Sequence, residues 1–102
     1  MQEKTIMKRD LKFTLRANID TIVAFEFYES RRKNLGELFL NELNTCYNSI
    51  LLNYTTYKIV HKTFRQAVVR KFPFVVLYTV DEKNIVIIAV FSTSKNPNKK
   101  LK

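Results

Sequence analysis

The residues able to carry chemistry in this chain are few, and their spacing narrows what they can do. His61 is the sole imidazole, so a two-histidine acid–base pair of the ribonuclease kind cannot be assembled. It reads as a strand-end or loop residue. Cys46, the sole cysteine, falls on the apolar stripe of a helical segment and reads as a buried structural thiol, not a nucleophile. One Cys and one His at distant positions do not supply the three or four ligands of a zinc site. Gly36 is the only glycine, which excludes a Gly-rich phosphate loop. Glu26 and Glu29, three apart on a helix, read as a solvated edge. No catalytic group, metal or cofactor is expected.

A basic and aromatic constellation remains. Arg65, Arg70 and Lys71 flank the segment Phe64–Lys71, Tyr78 lies on the next apolar segment, and Lys95 follows the last. Arginine and lysine can clamp a phosphate or bond the carboxylates of an acidic partner. Tyr57 and Tyr78 could stack on bases, although a strand tyrosine more often packs with its hydroxyl at the rim. In a strand, Arg65 shares a face with Ala67 and Val69, whereas Gln66, Val68 and Arg70 share the other. The cations therefore do not line one face, which argues against a dedicated RNA cradle.

These residues must be positioned by elements whose hydrophobic period changes near residue 55. Lys8–Thr14 reads as a short strand. From Leu15 to Ser30, the residues Leu15, Ile19, Ile22, Val23 and Phe27, with Ala17 and Ala24 beside them, trace a helical stripe that predicts a core-facing surface. Arg31-Arg32-Lys33 ends it. Asn34 and Glu37 then suggest a capping box opening a second helix, which carries Leu35, Leu38, Phe39, Leu43, Cys46, Tyr47, Ile50, Leu51 and Tyr54, with Asn41, Asn44, Asn48 and Asn53 opposite. Tyr57–His61, Phe64–Lys71, Phe74–Val80 and Ile85–Ser92 are rich in β-branched and aromatic residues and read as strands. Pro73 stops one of them. Asp81-Glu82-Lys83-Asn84 is a hairpin turn in which Asn84 could take a positive φ. Ile85–Phe91 is apolar throughout, so it predicts a central or doubly covered strand. The long apolar strands also suggest an edge open to a partner chain. The expected fold is α+β: an N-terminal strand and a helical hairpin on one face of a small antiparallel sheet.

Composition sets the outer bounds. The 102 residues include 18 Lys plus Arg against 9 Asp plus Glu, a net charge of +9, which favours anionic partners. Part of that surplus lies in a basic tail over residues 96–102, and residues 1–6 read as an extension if Met7 is the start. The length fits a single domain over residues 1–102. A lone cysteine fits a reducing cytosol. The longest apolar run, Ile85–Phe91, is far below the roughly 20 residues of a membrane span, and the N-terminus lacks the apolar core of a secretory signal. The expectation is a soluble cytoplasmic protein.

Order of elements and local text together resemble the RelE/ParE superfamily, the toxins of type II toxin–antitoxin systems. The carriers run from Arg16-Ala17 with Ile19-Asp20, through Phe27-Tyr28-Glu29, Leu35-Gly36 and Phe39, to Arg70-Lys71-Phe72-Pro73-Phe74 with Val76 and Tyr78. Ala89-Val90-Phe91 and Ser94-Lys95-Asn96-Pro97 complete them. The Arg-Lys-Phe-Pro-Phe turn and the Asn-Pro near the C-terminus look like the ParE branch, the plasmid stabilisation proteins.

The resemblance implies a growth-inhibiting toxin neutralised by a cognate acidic antitoxin that wraps it and orders on binding. It meets DNA only indirectly, through that antitoxin. The ParE branch implies a protein–protein inhibitor of DNA gyrase. The alternative RelE branch implies a ribosome-dependent mRNA endoribonuclease. That branch carries lysines and an arginine where this chain has Gln66, Val68 and Val75, none of which can stabilise a charged phosphorane. The ParE branch often has a histidine where Ser92 stands and an Arg-Arg pair where Ser94-Lys95 stands. Candidate contact residues for target or antitoxin are Arg65, Arg70, Tyr78, Ser94, Lys95 and Asn96.

Overall fold

The computed structural model describes residues 9–94. Lys95, Asn96, the basic tail and the 1–6 extension lie outside the described residues. The elements run β1 (Asp10–Phe13), α1 (Leu15–Arg31), α2 (Leu35–Asn53), β2 (Lys58–His61), β3 (Phe64–Val68), β4 (Phe74–Val80) and β5 (Asn84–Ser92). They form an α+β fold with one five-stranded sheet in the order β1-β5-β4-β3-β2.

The four C-terminal strands pair antiparallel, as expected. β1 instead joins β5 in parallel, with Leu11 opposite Ile85 and Phe13 opposite Ile87, so the sheet is mixed. Both helices and three strands separate β1 from β5 in the chain, so no tight turn dictates an antiparallel pairing. β5 lies between β1 and β4, and both long apolar strands are interior. The edges of the order are β1 and β2, but β1 reaches only Asn84–Ile87, so the far end of β5 has no strand neighbour on that side among the described residues.

Thr14 caps α1, its Oγ1 accepting the Ala17 N–H at 3.0 Å and donating to the Ile88 carbonyl at 2.8 Å. α1 then reverses the expected orientation. Ala17 and Ala24 are its buried residues, whereas Leu15, Ile19, Ile22, Val23 and Phe27 are exposed. The small inward residues bring the helix close to β5, and the bulky stripe is left outside. α2 buries Phe39, Leu43, Cys46, Tyr47 and Ile50 against Ala67, Val76, Tyr78, Ile85 and Ile87 of the sheet. Leu38 and Leu51 of the expected stripe instead lie at its exposed margin, and the four asparagines are exposed, as read.

The capping box does not form. Asn34 sits in the left-handed region at φ 74° and makes no side-chain cap. Glu29 of α1 takes that role, accepting N–H bonds from Asn34 and Gly36 at 2.9 Å each. It is therefore not a merely solvated carboxylate. β3 ends at Val68, three residues before the expected Lys71, because Lys71 adopts φ 71° and turns the chain. Among the described residues, positive φ outside glycine occurs at Asn34, Lys62 and Lys71, not at Asn84. The β4–β5 turn is held by Asp81 instead, whose Oδ1 accepts the N–H groups of Lys83 at 2.9 Å and Asn84 at 2.7 Å.

Candidate functional site

The Arg70–Phe74 segment owes its shape to aromatic packing. Tyr28 of α1 and Phe39 of α2 meet Phe72 and Phe74, with ring centroids 4.8 Å apart for Tyr28–Phe72 and 5.1 Å for Phe39–Phe74. Such edge-to-face contacts anchor the turn under both helices. Lys71 adds an ion pair to Glu42 of α2 at 3.3 Å. Arg70 is left exposed at the tip. The Thr93 N–H donates to the Pro73 carbonyl at 2.7 Å, so the end of β5 arrives at the same place. Ser94 is exposed there, its N–H donating to Ser92 Oγ at 3.0 Å. Arg70 and Ser94 thus share one end of the sheet.

Arg65 and Tyr78 do not join them. They are cross-strand partners on the helix side of the sheet. Arg65 Nη1 donates to the carbonyls of Tyr57 at 2.7 Å and Thr55 at 3.1 Å, tying down the α2–β2 connection. Tyr78 is fully buried, and its hydroxyl donates to the Tyr54 carbonyl at 2.7 Å. Burial pushes that phenol up to about 12. Placing Tyr78 on a contact surface is therefore corrected: alternation along β4 turns it into the core, where its hydroxyl has a partner. His61 is the last residue of β2, a strand end as read, and is exposed. Cys46 is buried, and desolvation lifts its thiol to about 11.

The opposite face of the sheet, free of helices among the described residues, brings Gln66, Val68 and Val75 together. Val68 faces Val75 across β3 and β4, Val75 faces Phe91, and Gln66 faces Leu77. This patch is aliphatic with one amide. Lys58 on one edge strand stands opposite Gln66, and Lys12 on the other edge strand is paired with Val86 at the far side of the same face. A charged transition state requires several converging donors, and these two ammoniums sit on opposite edges of the sheet.

A second surface was not legible as such. Between α1 and the ends of β4 and β5 lies a groove of about 540 Å³, lined by Val23, Phe27, Phe74 and Phe91, with Asp20, Arg31 and Ser94 among its polar residues. Asp20 Oδ2 accepts the Val90 N–H at 2.9 Å, on the stretch of β5 that β1 does not reach. Asp20 also pairs with Arg16 at 3.3 Å. The Arg31 guanidinium lies 4.3 Å from the centre of the Phe27 ring. The available signal was the row Ala17, Thr21, Ala24, Tyr28, whose helical spacing and small residues mark the inward face of α1.

No protein-family model and no curated protein sequence matches the chain. Solved structures do. A chain of the chromosomal ParDE TA system of P. aeruginosa superposes with a TM-score of 0.77 at 14% identity, covering 87% of this chain and 100% of that one. A chain of the E. coli DinJ–YafQ toxin–antitoxin complex gives 0.54 at 18% identity, over 83% and 92%. A structure of E. coli YafQ gives 0.54 at 16% identity, over 83% and 93%. In its strand–helix–helix order, its mixed five-stranded sheet and these superpositions, the chain has the fold of the RelE/ParE toxin superfamily.

Proposed function

We propose that the chain is the toxin of a type II toxin–antitoxin pair and that it acts by gripping another protein. The observation that carries this reading is the helix-free sheet face, where Gln66, Val68 and Val75 replace the converging cations that RNA cleavage would need. The similar chains include members of a ParDE system and of a toxin–antitoxin complex, which supports a cognate antitoxin as partner. A chain of net charge +9 suits an acidic wrapping polypeptide and associates with it rapidly. DNA gyrase is the target we assign, through the end of the sheet that carries Arg70 and Ser94 and leads into Lys95 and Asn96. Its place of action is the cytoplasm.

The test is a pair of assays on purified protein. Inhibition of gyrase supercoiling, with translated messenger left intact, is the expected result. Messenger cleavage that appears only when ribosomes are present would overturn the reading in favour of a ribosome-dependent endoribonuclease.

A further inference from the structure

We propose that α2 is a self-association surface, its outer face docking antiparallel on the same face of a second copy of the chain. The inference is independent of the toxin reading and comes from the seam that α2 presents to solvent. Leu38, Asn41, Thr45, Asn48 and Leu52 recur at spacings of three and four residues, on the side of α2 opposite the buried stripe through Phe39, Leu43, Cys46 and Ile50. All five are exposed. Leu52, at 81%, is the most exposed large apolar side chain among the described residues. Such spacing on an uncovered face is the seam of a two-stranded coiled coil.

Charge decides what covers it. β1, α1, β2 and β3 each carry at least one Lys or Arg, whereas α2 carries none. β4 and β5 carry none either, but they lie inside the sheet order. The charges on α2 are Glu37 and Glu42, and Glu42 is already paired with Lys71. In a chain of net charge +9, two copies repel over most of their surface. The outer face of α2 is where they approach without bringing cation to cation. It is also self-complementary, because an asparagine amide offers both donors and an acceptor. An acidic partner would find no cation on this seam.

The same residues fix the direction. Parallel helices would set Glu37 against Glu37 at one end. An antiparallel pair with its two-fold axis beside Thr45 separates those acids. It brings Leu38 of one copy towards Leu52 of the other, and Asn41 towards Asn48. From Leu38 to Leu52 the seam runs roughly 21 Å at the α-helical rise. That is less than the roughly 20–30 residues a side of a standard interface, so the dimer is a weak one.

Sedimentation equilibrium of the full chain, from micromolar to millimolar concentration, should show a monomer–dimer equilibrium that shifts towards dimer as salt screens the repulsion. Asn41→Lys with Asn48→Lys sets like charges across the pair and should weaken it roughly tenfold or more. Lysine is a better helix former than asparagine, so thermal unfolding of the dilute variant should not fall, and loss of the dimer is then not loss of fold. Thr45→Cys, close to the axis, should crosslink two copies under oxidation, whereas Leu52→Cys should not, its counterpart lying at the other end of the pair. A chain that stays monomeric at every concentration and salt would overturn the proposal. So would a dimer that Asn41→Lys with Asn48→Lys leaves intact. Crosslinking through Leu52→Cys but not Thr45→Cys would overturn the antiparallel docking. None of these outcomes touches the toxin reading, which the supercoiling and messenger assays decide on their own.

Discussion

The Glu29 carboxylate on α1 accepts the Gly36 N–H at 2.9 Å, at the first turn of α2. One oxygen takes Gly36 and the other takes Asn34, so one helix caps the next. The two contacts satisfy free N–H groups and place a negative charge at the positive end of the α2 dipole. Gly36 makes the geometry possible. A Cβ there would stand 2.7 Å from the Phe25 ring and 2.9 Å from Glu29 Oε1.

Glu29→Ala should therefore destabilise the hairpin by about 1–2 kcal/mol, the usual cost of losing a good N-cap. Gly36→Ala should also destabilise, by about 1–3 kcal/mol, because overpacking against a ring outweighs the gain in helix propensity. Denaturant unfolding of the two variants checks both signs. A stabilised Gly36→Ala would mean that Phe25 moves aside freely.

Much of the architecture was legible because burial on one face leaves a period in the chain. The α2 stripe through Phe39, Leu43, Cys46 and Ile50 packs as read, and so do the strands around Val76 and Ile87. α1 misleads for a physical reason: its surface carries two apolar rows, and the bulkier one, Ile19 to Phe27, faces outward. Bulk marks a helix face that something covers, without saying whether that cover is the chain's own core. The Glu29 cap was invisible because it joins two helices, while capping rules look only within one. The Tyr78 hydroxyl suggests a surface role, yet alternation along β4 from Val76 already places it on the inner face. The direction of β1 depends on a contact more than 70 residues away along the chain, for which no local signal exists.

Asp81 gives the fold an acid limb. The N–H groups of Asn84 and Lys83 hold its carboxyl below the ordinary value of 3.8. A depressed folded-state value contributes stability that is present above the unfolded value and is lost as pH falls through the folded one. Stability should thus decline at pH values below the ordinary carboxylate range as the β4–β5 turn loses its acceptor. Asp81→Asn should make the chain less sensitive to acid over that window while lowering stability at neutral pH. Chemical denaturation across the acid range reads both effects, and an unchanged acid profile would remove Asp81 from the account.

Cys46 should behave as an inert core thiol. It is 7% exposed, and its thiol lies near 11, so almost no thiolate is present at neutral pH. Iodoacetamide should label it no faster than the chain opens, and mild denaturant should accelerate the reaction. Mass spectrometry over a time course settles this. Rapid labelling of the native chain would mean that the α2–β3 contact, where Cys46 Sγ meets the Val68 carbonyl at 3.8 Å, opens readily.

Arg65, Tyr78 and Arg70 should separate into two classes of behaviour. Tyr78→Phe leaves the Tyr54 carbonyl without its hydroxyl donor and should cost about 1 kcal/mol. Arg65→Ala releases two carbonyls of the α2–β2 connection and should lower the unfolding temperature in the same way. Under the proposed toxin function, growth inhibition by both variants should survive at temperatures where they remain folded, because the Tyr78 hydroxyl is committed to the Tyr54 carbonyl and Arg65 Nη1 to those of Tyr57 and Thr55. Arg70→Ala removes an exposed guanidinium and should leave thermal stability within about 0.5 kcal/mol. If the Arg70–Ser94 end of the sheet grips the target, it should nonetheless lose growth inhibition, and Arg70→Ala with Ser94→Tyr more completely. Full toxicity in that double variant would move the target-binding surface away from this end, leaving the α1 groove or the helix-free sheet face to hold it.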